Sequence, residues 1–140
     1  MIFGIGVDLV NQERFIKILS KFDIQILKKK FLNLVEISQL ETKFVNNSVN
    51  KTSNQKIANF FAKRFAAKEA FSKAIGLGIK YPITLNQISI LHLPSGQPII
   101  KLDEKLNTYL QQKLNIKIQN IHLSFSDEAN QIIAFVVVEI

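Results

Sequence analysis

The chain has 140 residues, a formal net charge of +7, 47% hydrophobic residues and no cysteine. This size suits one domain, residues 1–140, with its own core. The composition excludes a disordered chain, a disulfide-stapled fold, a thiolate metal site and a cysteine nucleophile. A basic balance points to acidic partners: nucleic acid, an anionic membrane, a phosphate ligand or an acidic protein. No apolar run approaches the ~20 residues of a membrane span. The start MIFGIGVDLV lacks the basic n-region of a signal peptide. A cytoplasmic protein that does not enter the membrane is therefore expected.

Residues 2–10, IFGIGVDLV, read as a first strand. Alternation puts Phe3, Ile5, Val7 and Leu9 on one face, and Gly4, Gly6 and Asp8 on the other. Glycines within a strand mark a place where something approaches closely. Residues 12–22 read as an amphipathic helix, with Phe15, Ile18, Leu19 and Phe22 on one side. Arg14, Lys17 and Lys21 share another side at spacings of three and four. A short helix is expected around 35–44, then a polar loop at 46–56 (NNSVNKTSNQK).

A long helix is expected from Ile57 to Ile75, with Gly76 as its C-terminal cap. Two β-patterned runs follow, at 85–93 and 98–102, separated by the turn LPSGQP. Residues 103–114 read as a helix, and 117–125 and 132–140 as closing strands. The order β-α-α-α-β-β-α-β-β implies an α+β fold with a largely antiparallel sheet packed on the long helix.

On that helix Phe61, Phe65, Glu69 and Lys73 are each four apart and form one stripe. A plain intrahelical Glu69–Lys73 ion pair is worth only about 0.2–0.5 kcal/mol. Asp8 could cap the helix that starts near Gln12, as could Asn11. Alternatively Asp8 and Glu69 together make a typical Mg²⁺ site, two carboxylates completed by waters and phosphate oxygens. His92 and His122 have no ligand partner at close spacing and read as ordinary structural histidines. No nucleophile elbow, P-loop or dinucleotide fingerprint occurs. These residues imply Mg²⁺-dependent chemistry on a phosphate, without naming the substrate.

GIGVDLVNQERF at 4–15 and FAKRFAAKEAFSKAIGLGI at 61–79 resemble the holo-acyl-carrier-protein synthases, small bacterial 4′-phosphopantetheinyl transferases. The tail HLSFSDEANQIIAFVVVE is similar to that family's closing hairpin. The resemblance implies the 4′-phosphopantetheinyl transferase fold. It implies transfer of 4′-phosphopantetheine from coenzyme A to a serine of apo acyl carrier protein, releasing adenosine 3′,5′-bisphosphate, in fatty acid biosynthesis. It implies Asp8 and Glu69 as Mg²⁺ ligands and Lys73 as the lysine that approaches the coenzyme A phosphates. Lys68, in the same motif, is grouped with the coenzyme A-binding residues. Gly76 and Gly78 match the turn beside the nucleotide. Arg14 matches a basic residue that docks the carrier protein, and Lys17 and Lys21 join it by spacing. Glu69, or a water it orients, is the candidate base. A homotrimer with active sites between subunits is implied too, with the Gly4-Gly6-Asp8 face and the exposed side of the long helix as its expected contact. Asp127 stands where many members carry a histidine and is given no role.

Two rival readings stand beside this one, the first using the same carboxylates and the second motivated by the charge of +7. A Mg²⁺-dependent phosphodiesterase would hydrolyse coenzyme A without a carrier protein. A basic nucleic-acid binder would gather its cations on one groove-sized face with stacking aromatics, whereas here the charges are spread and Trp is absent.

Overall fold

The computed structural model describes residues 1–44 and 51–140. Strand β1 (Ile2–Asn11) leads directly into helix α1 (Gln12–Lys21). Asn11 caps that helix, its Oδ1 accepting from Glu13 N at 2.9 Å, so Asp8 is not needed as the cap. Helices α2 (Ile24–Phe31) and α3 (Leu34–Phe44) follow. The sequence reading had no counterpart to α2. Its start is set by Asp23, which accepts from Gln25 N at 2.7 Å.

Helix α4 (Lys51–Ala74) starts earlier than expected. Residues 46–50 of the expected polar loop lie outside the described residues, and 51–56 are the first turns of the helix. α4 ends in a Schellman motif. Leu77 N donates to Ser72 O at 2.9 Å and Gly76 N to Lys73 O at 3.0 Å. The motif needs a left-handed residue at Gly76, whose φ is 73°.

A tight helical turn, Leu85–Gln87, precedes the antiparallel hairpin β2 (Ile88–His92) and β3 (Pro98–Leu102). Helix α5 (Glu104–Leu114) is capped by Asp103, which accepts from Leu106 N at 2.7 Å. Strands β4 (Asn120–Glu128) and β5 (Gln131–Glu139) close the chain. β4 lies three residues later than the sequence suggested. The main sheet is antiparallel, in the order β1-β5-β4.

One face of this sheet lies on α4. Val10, Leu123, Ile132, Ala134, Val136 and Val138 are buried there with Ala66, Ala67, Ala70 and Phe71 of the helix. An aromatic cluster joins α1, α2 and α4: Phe15 lies 5.4 Å from Phe31 and 5.7 Å from Phe65 between ring centroids. The other face of the sheet is apolar yet uncovered. Ile5 (61% exposed), Val7 and Leu9 stand there with Ile133 and Phe135, Val7 opposite Phe135 and Leu9 opposite Ile133. A contiguous apolar surface of this kind marks an interaction site.

The expected subunit contact is corrected by this arrangement. Gly4 and Gly6 pack on the backbone of the chain's own α4 and leave no room there for a neighbour, whereas Asp8 stays partly exposed at the edge of that contact. The free face is the opposite one.

Candidate active site

The glycines of β1 determine where its carboxylate ends up. A Cβ on Gly4 would fall 2.0 Å from Ala74 O, and one on Gly6 would fall 1.9 Å from Ala70 O. Strand and helix therefore touch backbone to backbone. The close approach carries Asp8 to the last turns of α4, where Glu69 and Lys73 project.

Lys73 Nζ donates to Asp8 Oδ1 at 2.7 Å and to Val7 O at 3.0 Å. Its side chain is 52% exposed, whereas that of Asp8 is largely enclosed. Glu69 is half-buried. Burial, and then the Asp8 carboxylate, push its carboxyl above the usual range, while Lys73 and Arg14 pull it down. Asp8, Glu69, Lys73 and Arg14 thus feel one another electrostatically. The intrahelical Glu69–Lys73 pair does not form, because Lys73 reaches across to β1 instead.

Two neighbouring carboxylates, one of them half-buried and not neutralised by a lysine, fit a hard divalent cation. Among the described residues no cluster of three or more His, Cys, Asp or Glu could hold a metal. Asp8 and Glu69 could supply two ligands to Mg²⁺, which keeps several waters.

Lys68 is not at this site, which corrects its expected role beside coenzyme A. Its side chain has 0% exposure. Nζ donates to Glu36 Oε1 at 2.6 Å and to Phe31 O at 2.8 Å. Burial lowers its pKa, and Glu36 opposes that shift. An ammonium so enclosed is part of the core and cannot reach a ligand. Gly78 lies beyond the cap, with open space where a Cβ would be.

Arg14, Lys17 and Lys21 line one shallow groove of about 460 Å³ along α1, together with Ile18 and Phe22. The Arg14 guanidinium sits 5.2 Å from the Phe65 ring centroid, one turn before Glu69.

A larger cleft, about 870 Å³, opens between α3, the first half of α4 and the end of β2. Lys43, Lys56, Lys63 and Arg64 line it, with Phe60 and His92. The sequence reading passed over it. The available signal was Lys56, Lys63 and Arg64, which recur at seven and eight residues on α4, whereas Lys43 and His92 arrive from distant segments. Burial, then the surrounding cations, lower the pKa of His92. Asp127 lies near this cleft, because Lys63 reaches it at 3.0 Å. Glu69 is turned about 120–140° round α4 from Lys63 and Arg64, at 3.6 residues per turn. The carboxylates and the cleft thus occupy different faces of one helix.

Comparison with known proteins gives the family. Residues 4–136 match the family model described as the 4′-phosphopantetheinyl transferase superfamily. The chain is 37% identical to a holo-[acyl-carrier-protein] synthase of Nitrosospira multiformis, covering 99% of each chain. The crystal structure of holo-[acyl-carrier-protein] synthase from Neisseria meningitidis superposes with a TM-score of 0.80 at 35% identity, covering 100% of both chains. The Helicobacter pylori enzyme in complex with coenzyme A gives 0.73 at 30% identity, covering 96% of this chain and 99% of that one. With its backbone-packed glycine strand and its facing carboxylates, the chain belongs to the 4′-phosphopantetheinyl transferase superfamily, as an enzyme of the holo-[acyl-carrier-protein] synthase family.

Proposed function

We propose that this enzyme transfers 4′-phosphopantetheine from coenzyme A to a serine of apo acyl carrier protein and releases adenosine 3′,5′-bisphosphate. The observation that carries the reading is the convergence of Asp8, Glu69 and Lys73 on one spot in a chain of this family. A relative of similar structure binds coenzyme A, and this chain has a cleft of matching charge. We assign the nucleotide end of coenzyme A to the basic cleft and the reacting pyrophosphate to the carboxylate pair.

The serine oxygen forms a bond to the β-phosphorus, and the bond from that phosphorus to the oxygen of the departing nucleotide phosphate breaks. The hydroxyl proton leaves to Glu69 or to a water held by it. Lys73 holds its ammonium where negative charge builds, within reach of Asp8. Mg²⁺ held by Asp8 and Glu69 would neutralise charge on the transferring and leaving phosphates. Gly76 and Gly78 keep the turn after α4 free of side chains beside the nucleotide. Arg14, Lys17 and Lys21 offer an acidic carrier protein a cationic groove, which speeds encounter and makes it salt-sensitive.

Because cleft and carboxylates face different ways on α4, one coenzyme A molecule meets both most simply when a neighbour supplies the cleft. This supports a homotrimer with active sites between subunits, joined through the uncovered sheet face of β1 and β5. Sedimentation at micromolar concentration should then give three chain masses, and a monomer would remove the assembly reading. Fatty acid biosynthesis in the cytoplasm is the process proposed for the product.

The test is the intact mass of apo acyl carrier protein after incubation with enzyme, coenzyme A and Mg²⁺. A gain of one phosphopantetheine, abolished by EDTA, is expected. Cleavage of coenzyme A without any gain on the carrier would favour the phosphodiesterase instead. Arg14→Glu should raise KM for the carrier protein much more than KM for coenzyme A. Equal effects would remove α1 as the docking face.

A further inference from the structure

Arg64 forms the inner wall of the basic cleft and is only 6% exposed. Its Nη2 donates to Gln39 Oε1 at 3.1 Å. Its Cζ lies 3.2 Å from the Phe60 ring centroid, and Nη1 reaches Phe60 O at 3.4 Å. The guanidinium is therefore flat on an aromatic ring and held at one end. Nε is 3.5 Å from Glu36 Oε2 and has no hydrogen-bond partner among the described residues.

Glu36 is itself fixed. Oε1 accepts from Lys68 at 2.6 Å and from Asn33 N at 3.2 Å, and Oε2 accepts from Ile90 N at 3.2 Å. One buried carboxylate thus faces two cations. Lys68 takes the shorter contact, so the charge of Arg64 is steered but not cancelled. Gln39 adds orientation without adding negative charge, because its acceptor is an amide. No carboxylate lines the cleft among the described residues.

We propose that Gln39 and Glu36, both on α3, are positioning residues that hold Arg64 against Phe60 as a preset planar cation for a phosphate group of the nucleotide in the cleft. This rests on the placement of the coenzyme A nucleotide proposed above. A guanidinium already fixed loses little side-chain entropy when it pairs with a phosphate. Gln39→Met would keep the stem but release the guanidinium.

Steady-state transfer is measured for Gln39→Met, Arg64→Met and the double variant, with coenzyme A and carrier protein varied in turn. Loss of one hydrogen bond predicts that Gln39→Met raises KM for coenzyme A about three- to tenfold. Its kcat and its KM for carrier protein should not change. Arg64→Met should raise KM for coenzyme A further, and adding Gln39→Met to it should change nothing more, because Gln39 acts only through Arg64. An unchanged KM in Gln39→Met, or a double variant equal to the product of the singles, overturns the positioning role and leaves the nucleotide placement standing. An unchanged KM in Arg64→Met overturns both. Gln39 is half-buried at the cleft wall, so its variant does not strand a charge in the core.

Discussion

Lys73 and Asp8 form an ion pair between the last turn of α4 and β1, with Nζ 2.7 Å from Oδ1. The helix-internal partner Glu69, four residues earlier, is left to the electrostatic field of its neighbours. This difference decides what each group can do. Lys73 fixes one oxygen of Asp8, and Glu69 keeps its carboxylate available. Asp8→Asn and Glu69→Gln are each expected to lower kcat by at least about a hundredfold, the usual scale for a lost preorganised charge, with the fold intact by circular dichroism. Normal turnover in either variant at low Mg²⁺ would remove the metal assignment. Lys73→Met should lower kcat less and should also change the Mg²⁺ concentration needed for half-maximal rate, since it frees Asp8.

Lys68→Met separates a structural lysine from a ligand. It leaves Glu36 in the core with Arg64 as its remaining cation at 3.5 Å. Breaking a buried ion pair from one side costs about 3–5 kcal/mol, read as a shift in the denaturant midpoint. Any rise in KM for coenzyme A should come only together with that loss of stability, through Glu36 and Arg64. A raised KM at unchanged stability would return Lys68 to the binding site.

Gly6→Ala should be severe. The added methyl would meet Ala70 O at 1.9 Å and Ala74 N at 2.7 Å, both backbone atoms. Overpacking against groups that cannot rotate away costs at least about 1–3 kcal/mol, and it displaces Asp8 from α4. Both stability and transfer should fall. Gly78→Ala meets nothing within 4 Å and should leave the melting temperature unchanged. A higher KM for coenzyme A in that variant would report a nucleotide at the turn.

Asp127 gives a pH prediction. The hydrogen bond and charge of Lys63 hold its carboxyl below the usual aspartate range. A carboxyl depressed in the folded state stabilises the fold above its ordinary pKa and loses that contribution as pH falls toward the folded value. Asp127→Asn should therefore be less stable at neutral pH, by at most about 1 kcal/mol because the pair is half-exposed and screened. The gap should close in acid, below the ordinary aspartate pKa. A gap that persists there would mean that the substitution acts through something other than charge.

The sequence already held the carboxylate pair, because strand alternation isolates Asp8 and four-residue spacing aligns Glu69 with Lys73. It also held the helix end, since Gly76 is required where it stands. Lys68 misled for a physical reason. It falls on the stripe Phe61, Arg64, Phe71 and Ile75, which is buried, but its partner Glu36 is 32 residues away, and no local pattern shows an ion pair inside a core. Helix α2 was hidden by three lysines in its last turn, which interrupt the apolar stripe. The first turns of α4 carry no apolar period and read as loop. Ile116 and Ile118 mimic strand alternation before β4 begins. The uncovered sheet face was legible as apolar, but alternation alone cannot say which side of a strand the chain itself will cover.

The contact of Gly4 and Gly6 with the α4 backbone has a further consequence. Side chains in a core hop between rotamers, and a site referenced to them inherits that blur. Main-chain carbonyls in the last turns of a helix have no rotamers. The registration of the β1 main chain against α4 at Gly4 and Gly6 therefore rests on two pieces of backbone, and it should stay sharp on heating until strand and helix part together.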